Sequence, residues 1–418
     1  MNFNINPFFL IILSLVLCVE IYFYVYIKYI LFESDNEQSR QHDTRPRFEN
    51  SVELTRDIFR LVDQLDGYSM ERLISGFCLH ANISEISIKK CKSLLSWCCF
   101  IRDWDELTPE EQNDIDNLQN EVQELLKKEG HTLCENEIPN CHHIRHNLEA
   151  IHITHRPLCL YLFFFIIERI FENVFMYPDG FTFHTLSQNK SQPVSYWFKY
   201  VPSTVPVVFI HGICRGWSFY WKIIQAIGQN RTMILINYDC IKVNSLQLHV
   251  PDSDEYCENF IEILNRHRIE QCDVVCHSYG TFLCSWIIRN CADKVRRIIF
   301  IDPLMLTVAL YETAYYLFYQ YPQTMTDWIY YLFVRTNLPL ANVLQRHFIW
   351  YNMVLKFNEI PDNIDVHVAF SGKEHLLDVE LLKQLVSEKQ HINWAQMHHA
   401  ECMSNNNCIK DLINILHR

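Results

Sequence analysis

The feature that most constrains the fold is an alternation of short β-rich runs with helical stretches in the second half of the chain. The β-rich runs are Gly180–Leu186, Val194–Val201, Val205–His211, Thr232–Tyr238, Cys272–Ser278, Val295–Asp302 and Asp365–Ser371. Amphipathic segments such as Glu255–Arg266 and Thr281–Asn290 lie between the later runs. Such alternation is typical of a mostly parallel sheet with helices on both faces. We therefore predict an α/β fold for residues 180–418.

One of these strands runs directly into Ser278, and a helical segment begins immediately after it. The stretch Cys272–Thr281 reads CDVVCHSYGT. It resembles the nucleophile elbow of α/β-hydrolases, G-x-S-x-G, in which small residues flank a sharp turn that exposes the serine. Gly280 fits this pattern, and Cys276 stands where the first glycine is usual. The motif predicts a serine hydrolase of the α/β-hydrolase fold with Ser278 as the nucleophile.

A second motif ends an earlier strand, where Pro206–Cys214 reads PVVFIHGIC. Acyl transfer passes through a tetrahedral oxyanion, which needs preorganised N–H donors. In this fold one donor follows the nucleophile, here Tyr279, and the other lies in the loop after the earlier strand, here Ile213 or Cys214. We assign the backbone N–H groups of Ile213 and Tyr279. His211 is expected to orient this loop and to take no direct part in catalysis.

The hydroxyl of a catalytic serine needs a histidine to accept its proton and a carboxylate to hold that histidine. The fold predicts the order serine, acid, histidine along the chain. Glu374 follows the strand Asp365–Ser371, so we assign it as the acid, with Asp378 in reserve. Asp302 ends the preceding strand and is the alternative acid. The candidate bases near the C-terminus are His391, His398 and His399.

The region from His146 to the C-terminus resembles a group of membrane-anchored α/β-hydrolases found mainly in fungi. The matching elements are His155-Arg-Pro-Leu, Tyr196-Trp197, Phe209-Ile-His-Gly-Ile, His277-Ser-Tyr-Gly, Ile301-Asp-Pro, Arg346-His-Phe-Ile-Trp350, Gly372-Lys-Glu and His399-Ala. The last element of that group typically reads Asp-His-Ala, so the resemblance implies that His399 is the base and that His398 replaces an aspartate. The acid of the group is usually Asp, where this chain has Glu374. Cys214 stands where such proteins often carry glycine.

Residues 304–360 form a helical, aromatic-rich insertion between two strands. In this fold that position hosts a cap over the active site, and a mostly apolar cap favours a lipophilic ester as substrate. The predicted chemistry requires no metal and no organic cofactor. A formal net charge of −13 argues against a nucleic-acid partner, because phosphate binding needs a basic surface.

Two other functions are compatible with the same sequence. An acyltransferase would use the same triad to pass the acyl group to an acceptor other than water. A catalytically silent protein of this fold would act as a membrane adaptor, and the departures at Cys276 and Cys214 favour it. A fluorophosphonate probe separates the silent protein from the enzymes, because only an activated serine reacts with it.

The N-terminus predicts a transmembrane anchor over residues 1–32, followed by a linker and a helical region over 33–179. Pro7–Ile27 is an apolar run interrupted only by Glu20, and a helix of this length reaches about 30 Å, the thickness of the hydrocarbon layer. Basic residues follow the run and none precedes it, so the bias places the catalytic region in the cytosol, on an endomembrane. Those residues are Lys28, Arg40, Arg45 and Arg47.

Two further segments carry local predictions. Cys159–Met176 has an apolar run that is too short to span a bilayer, so we expect a helix docked on the core or lying in the membrane interface. Leu107–Glu111 reads LTPEE and predicts a helix start, with Thr108 as the cap and Pro109 in the first turn.

The anchor can be tested by fractionation. We expect the protein to resist carbonate extraction and to keep Met1 or Asn2 at its N-terminus, because no cleavage site of small residues follows the apolar run. We expect the sequons at Asn82, Asn189 and Asn230 to stay unglycosylated. A soluble protein with a new N-terminus near residue 32 would contradict the anchor, and a mobility shift with an endoglycosidase would contradict the orientation.

Overall fold

A computed structural model describes residues 7–41, 50–137, 141–186, 193–202, 204–214, 216–386 and 391–417. Within these ranges the strands are β1 (Thr182–Leu186), β2 (Val194–Lys199), β3 (Val207–Ile210), β4 (Met233–Ile236), β5 (Cys272–His277), β6 (Val295–Ile301), β7 (Asp365–Lys373) and β8 (His391–His398). They form one sheet in the order β1-β2-β4-β3-β5-β6-β7-β8. The pairs β1–β2 and β2–β4 are antiparallel, and the remaining pairs are parallel. The predicted mostly parallel sheet is confirmed.

The α-helices of the same ranges fall into three groups along the chain. Before the sheet come α1 (Pro7–Gln41), α2 (Ser51–Gln64), α3 (Met70–Phe77), α4 (Ile88–Phe100), α5 (Pro109–Lys128) and α6 (Leu158–Phe171). Between strands lie α7 (Trp221–Gly228), α8 (Ser253–Arg266), α9 (Gly280–Cys291) and the short helices α10 (Tyr311–Ala314), α11 (Met325–Tyr330), α12 (Leu338–Asn342) and α13 (Trp350–Met353). The last two are α14 (Val379–Leu385) and α15 (Asn406–Leu416).

The central strands are largely apolar because helices cover both faces of the sheet, and Asp273 of β5 and Arg296 and Arg297 of β6 are charged exceptions. Val274 and Cys276 of β5 pack in the hydrophobic cluster that includes α8 and α9. Val275 points the other way, into the cluster that includes α7 and α15. Successive side chains of a strand point to opposite faces, so burial on both faces requires a continuous apolar run.

Strand β8 has no counterpart among the runs read from the sequence. Its sequence, HINWAQMH, mixes polar and apolar side chains, and Trp394 is the only one of them that is buried. It pairs with β7 alone in the described sheet, so it lies at the edge. An edge strand needs little apolar surface, which explains why hydrophobic patterning did not reveal it.

The helix start at Thr108 is confirmed. Its hydroxyl accepts a hydrogen bond from the backbone N–H of Glu111, and the Glu111 carboxylate accepts from the backbone N–H of Thr108. Pro109 occupies the first position of α5. This reciprocal arrangement satisfies donors that would otherwise have no partner at the helix terminus.

Residues 304–360 are largely helical, with α10–α13 joined to π-helical segments at Tyr315–Tyr319, Tyr331–Arg335 and Val343–His347. One hydrophobic cluster connects this insertion with α2–α5 and with the sheet. Arg72 of α3 adds ion pairs to Glu312 of α10 and to Asp378, at 2.9 and 2.7 Å. The boundaries given above for anchor, helical region, hydrolase region and cap remain predictions.

Helix α1 contains one window, Ser14–Leu31, that is long and apolar enough to cross a membrane, and 17% of this window is buried. The helix continues to Gln41. The helical backbone hydrogen bonds therefore extend past the apolar run into residues that the sequence assigned to the linker, and the boundary at residue 33 remains a prediction. Residues 42–49, the rest of the predicted linker, lie outside the described residues.

The sheet holds a buried charge cluster around Asp273 whose removal should destabilise the fold. Asp273 of β5 is fully buried and accepts hydrogen bonds from Arg231 and Arg296 at 2.5–2.8 Å. Asp273→Ala leaves two arginines without their carboxylate and should lower the free energy of unfolding by about 3 kcal/mol. The control is Asp293→Ala, at a side chain 73% exposed, which should cost less than about 1 kcal/mol. Thermal unfolding in detergent, followed by tryptophan fluorescence, compares the two; equal losses would contradict the assignment.

Candidate active site

Ser278 occupies a sharp turn between β5 and α9. Its φ of +53° lies in the left-handed region, which is strained for a residue with a side chain. Glycines allow the turn to pack closely: a Cβ on Gly280 would lie 2.5 Å from Ile210 O, and one on Gly212 would lie 2.8 Å from Ser278 Cβ. Cys276 is fully buried, and its thiol donates to Ile299 O at 3.7 Å, so this position tolerates a small side chain larger than glycine.

Among the three candidate histidines, His399 lies next to Ser278. Its Nε2 is 2.9 Å from Ser278 Oγ, and its Nδ1 is 2.6 Å from Glu374 Oε2. His398 contacts His375 instead, at 3.3 Å, and is exposed. The ring of His391 stacks on Phe370. The structure therefore brings together the residues predicted as nucleophile, base and acid.

Glu374 is positioned by the turn that follows β7. Its side chain is 1% exposed, and its Oε1 accepts hydrogen bonds from the backbone N–H groups of His375 and Leu376 at 2.8 and 2.9 Å. The other oxygen is thus free to face His399. Asp378, the reserve acid, caps the first turn of α14 and pairs with Arg72. It is engaged away from the histidine.

Asp302, the alternative acid, is fully buried beside the same histidine. Its Oδ1 accepts from Ser371 N at 2.8 Å, and its Oδ2 accepts from Ala400 N at 3.0 Å. The distance from Asp302 Oδ2 to His399 Nδ1 is 3.8 Å, beyond hydrogen-bond range. Asp302 therefore ties the end of β6 to β7 and to the residue that follows His399, a positioning task that sequence reasoning did not identify.

Two carboxylates control the charge of His399. Burial by itself lowers the pKa of His399, but the Glu374 carboxylate and, after it, Asp302 raise this pKa to about 9. Burial likewise raises the pKa of Asp302, but the imidazoles of His277 and His399 hold it below its usual range. The site thus stabilises an imidazolium between negative charges.

The loop after β3 is held by a chain of hydrogen bonds to the Ser278 turn. Gly212 N donates to the Tyr220 hydroxyl at 2.9 Å, and this hydroxyl lies 2.9 Å from His277 Nδ1. Cys214 N donates to Ile241 O, so it is not available to a ligand. In the described part of the chain, the backbone N–H groups of Ile213 and Tyr279 have no acceptor.

His211 has the orienting role that the sequence predicted. Its Nδ1 lies 2.7 Å from Gly212 O, and its Nε2 accepts from Tyr238 N at 3.2 Å. Burial lowers the pKa of His211 to about 3, so the ring is neutral and carries its proton on Nδ1. Both nitrogens are used to fix the loop.

Glu168 of α6 contributes to this loop, although no motif singled it out. Its carboxylate accepts from Trp217 N at 2.7 Å and from Ser218 Oγ at 3.1 Å. Gly216 lies against it with a φ of +143°, and a Cβ there would come within 2.3 Å of Glu168 Oε1. The sequence signal was a carboxylate, next to Arg169, inside a mostly apolar helix.

One group of side chains at the site has the composition of a metal site. His277, Asp302 and His399 place potential ligand atoms within 4.8 Å of one another. Both nitrogens of His399 contact Ser278 and Glu374, and Asp302 accepts two backbone N–H groups. We assign no metal to this group, and a mechanism without a metal remains a prediction.

Comparison with known proteins agrees with this architecture. Residues 205–396 match the model of the alpha/beta hydrolase fold family. No curated protein matches the sequence. Similar solved structures include the carboxylesterase CesB of Bacillus subtilis, with 11% identity, a TM-score of 0.44 and coverage of 62% of this chain and 98% of that chain. The naproxen esterase of the same organism has 11% identity and a TM-score of 0.44, and the match covers 62% of this chain and 97% of that chain. A bacterial membrane phospholipase A has 11% identity and a TM-score of 0.42, and the match covers 62% of this chain and 94% of that chain.

Likenesses at these identities and TM-scores carry no conclusion about this chain. The fold is shown by the matched family model and by the order of the sheet. This chain has an α/β-hydrolase fold with a mostly parallel sheet between helices, and an apolar helix near its N-terminus.

Proposed function

We propose that the protein is a serine hydrolase that cleaves a lipophilic carboxylic ester through an acyl-enzyme. The observation that carries the proposal is the position of His399, whose two nitrogens contact Ser278 and Glu374 at 2.9 and 2.6 Å. This is the arrangement in which a histidine activates a serine and a carboxylate holds the histidine. The fold alone would not support an activity.

In the first half of the reaction, Ser278 Oγ attacks the ester carbonyl carbon while its proton passes to His399 Nε2. The carbonyl oxygen becomes negatively charged and accepts hydrogen bonds from the N–H groups of Ile213 and Tyr279. The C–O bond to the alcohol then breaks, and His399 gives its proton to the leaving oxygen. Glu374 stays ionised and stabilises the imidazolium.

In the second half, a water molecule attacks the acyl-enzyme. His399 takes one proton from the water, and the oxyanion again binds the N–H groups of Ile213 and Tyr279. The bond to Ser278 Oγ breaks, the proton returns to this oxygen, and the carboxylic acid leaves. An acyltransferase would use an alcohol or amine in place of water.

A lipophilic substrate is supported by the surroundings of the site. Tyr279 follows the nucleophile and Phe282 lies one turn further along α9, and their rings lie 6.4 and 5.1 Å from the ring of Phe348 in the insertion. Phe348 also lines a separate apolar cavity of about 50 Å³ between α2–α4 and the insertion, which none of Ser278, Glu374 and His399 lines. Apolar walls next to a few polar groups favour an acyl chain over a polar substituent.

Substitution of the nucleophile tests the proposal. Ser278→Ala should remove fluorophosphonate labelling and lower the kcat for p-nitrophenyl esters by about 10⁴-fold or more, because the acyl-enzyme cannot form. The matched control is Ser285→Ala, a buried serine of α9 whose hydroxyl donates to Phe282 O. Ser285→Ala should keep both fluorophosphonate labelling and the kcat for p-nitrophenyl esters. Retained hydrolysis in purified Ser278→Ala, or a wild-type protein that the probe does not label, would overturn the proposal.

The pH dependence tests the acid. Neutral His399 is the base, and its pKa is raised to about 9, so labelling should accelerate as pH rises through that region. Glu374→Gln removes the charge that raises this pKa, so the inflection should move to lower pH and the maximal rate should fall about 10²-fold or more. Asp378→Asn should change neither, and Asp302→Asn should lower the rate much less. If Asp302→Asn is the crippling change, the acid follows β6 and not β7.

A further inference from the structure

Helix α6 and the π-helical turn Glu172–Met176 bury two carboxylates and expose many apolar side chains. This is the reverse of the usual pattern on the surface of a soluble protein. The carboxylates of Glu168 and Glu172 are buried. Arg169 and Asn173 are exposed as well, but most of the exposed side chains are apolar: Leu162, Phe163, Phe165, Ile166, Ile167, Ile170, Val174 and Phe175 are 43–56% exposed. We call these eight residues the apolar face. A contiguous apolar surface of this kind marks contact with another apolar phase.

The apolar face begins where α1 meets α6. The Glu20 carboxylate of α1 accepts hydrogen bonds from Leu158 N, the first N–H of α6, at 2.5 and 3.0 Å. The ring of Phe23 packs on that of Tyr161 with centroids 5.8 Å apart. Phe23, Ile27 and Leu31 are buried at four-residue spacing, so one stripe of α1 packs on the protein.

This contact places α6 at the depth of the hydrocarbon layer when α1 spans a membrane. A spanning helix needs about 20 residues, so a span that ends near Leu31 includes Glu20. Glu20 then lies about 16 Å along the axis from Leu31, at 1.5 Å per residue. The first turn of α6 is bonded to it and shares that depth. In lipid each backbone N–H needs a partner, which accounts for a carboxylate within the apolar run.

The insertion extends the same surface beyond α6. The ring of Phe164 lies 6.3 Å from that of Phe333, and the stretch 321–332 exposes, besides the polar Gln323, Thr324 and Thr326, five large apolar side chains. They are Tyr321, Met325, Trp328, Ile329 and Leu332, at 39–77% exposure. Aromatic and aliphatic side chains of this kind are typical of elements that lie in the membrane interface.

We propose that the apolar face is embedded in the same bilayer leaflet as the C-terminal half of α1, so that the protein binds the membrane through a surface as well as an anchor. The occupant is lipid, because α1 and α6 form a continuous apolar surface and, among the described helices, α1 is the one that is both long and apolar enough to span. Water would leave this surface without a favourable partner. The inference rests on the anchor and not on catalysis.

The embedded helix is also connected to the site. Glu168 comes from the protein side of α6, and its carboxylate holds the loop residues Trp217 and Ser218 that follow Ile213. The loop that carries the proposed oxyanion donor Ile213 is therefore bonded to one side of α6, and the other side of α6 faces lipid. Such an arrangement keeps the site close to the phase in which a lipophilic ester concentrates.

Quenching of a bimane label by doxyl-lipids in phosphatidylcholine nanodiscs tests the proposal on the full chain. The labelled variants are Phe163→Cys and Ile170→Cys on α6, Leu17→Cys on α1 as the positive reference, and Lys89→Cys, 77% exposed on α4, as the negative one. The exposed thiols Cys18 and Cys159 are replaced by serine, and the signal of that background is subtracted. Both α6 positions should lose as much fluorescence as position 17, and position 89 should lose none.

Two outcomes would overturn the proposal. Fluorescence at positions 163 and 170 that resembles position 89 would place the apolar face in water. Disulfide-linked dimers of unlabelled Phe163→Cys, together with a lack of quenching in the labelled sample, would identify a second copy of the chain as the occupant. Fluorophosphonate labelling of each variant is measured in the same samples, so a failure of the proposed hydrolase activity is seen separately from a failure of membrane contact.

Discussion

The active-site geometry depends on a close approach of backbones at the turn that carries Ser278. The positive φ of this serine is strained, and the turn is held because its N–H donates to Ile301 O and its carbonyl accepts from Thr281 N, both at 2.9 Å. Gly212 and Gly280 leave no Cβ between the turn and the loop after β3. The serine hydroxyl and the N–H groups at Ile213 and Tyr279 therefore belong to the same small region.

The parallel sheet then supplies the remaining groups from separate parts of the chain. Parallel strands bring their carboxyl ends to one edge, so the segments that follow β5, β6, β7 and β8 meet there. Asp302 at the end of β6 binds backbone N–H groups at Ser371 and Ala400. It thereby sets the distance between Glu374 and His399. A change of register in β7 or β8 would separate these side chains, because a slip of one residue moves every side chain of the strand to the opposite face of the sheet.

Hydrophobic patterning and motifs predicted much of this arrangement, but they did not predict strand β8 or the role of Glu168. Seven of the strands coincide with β-rich runs bounded by turns, which explains their early identification. Strand β8 lies at the sheet edge and has little apolar character, so its pairing with β7 was not seen. Glu168 sits in a helix of another segment, and its contact with Trp217 joins residues 49 positions apart. No local pattern records such a contact.

The sequence by itself determined the class of fold, the turn at Ser278, the loop at Ile213 and the apolar N-terminal helix, because each depends on neighbouring residues. The tertiary structure decided which histidine contacts the serine and which acid contacts that histidine. His398 and His399 are adjacent and chemically alike, yet neighbouring side chains near a strand end point in different directions. The contact between His399 and Ser278 spans 121 positions, and the contact with Glu374 spans 25. Only the register of the sheet brings such distant groups within hydrogen-bond distance.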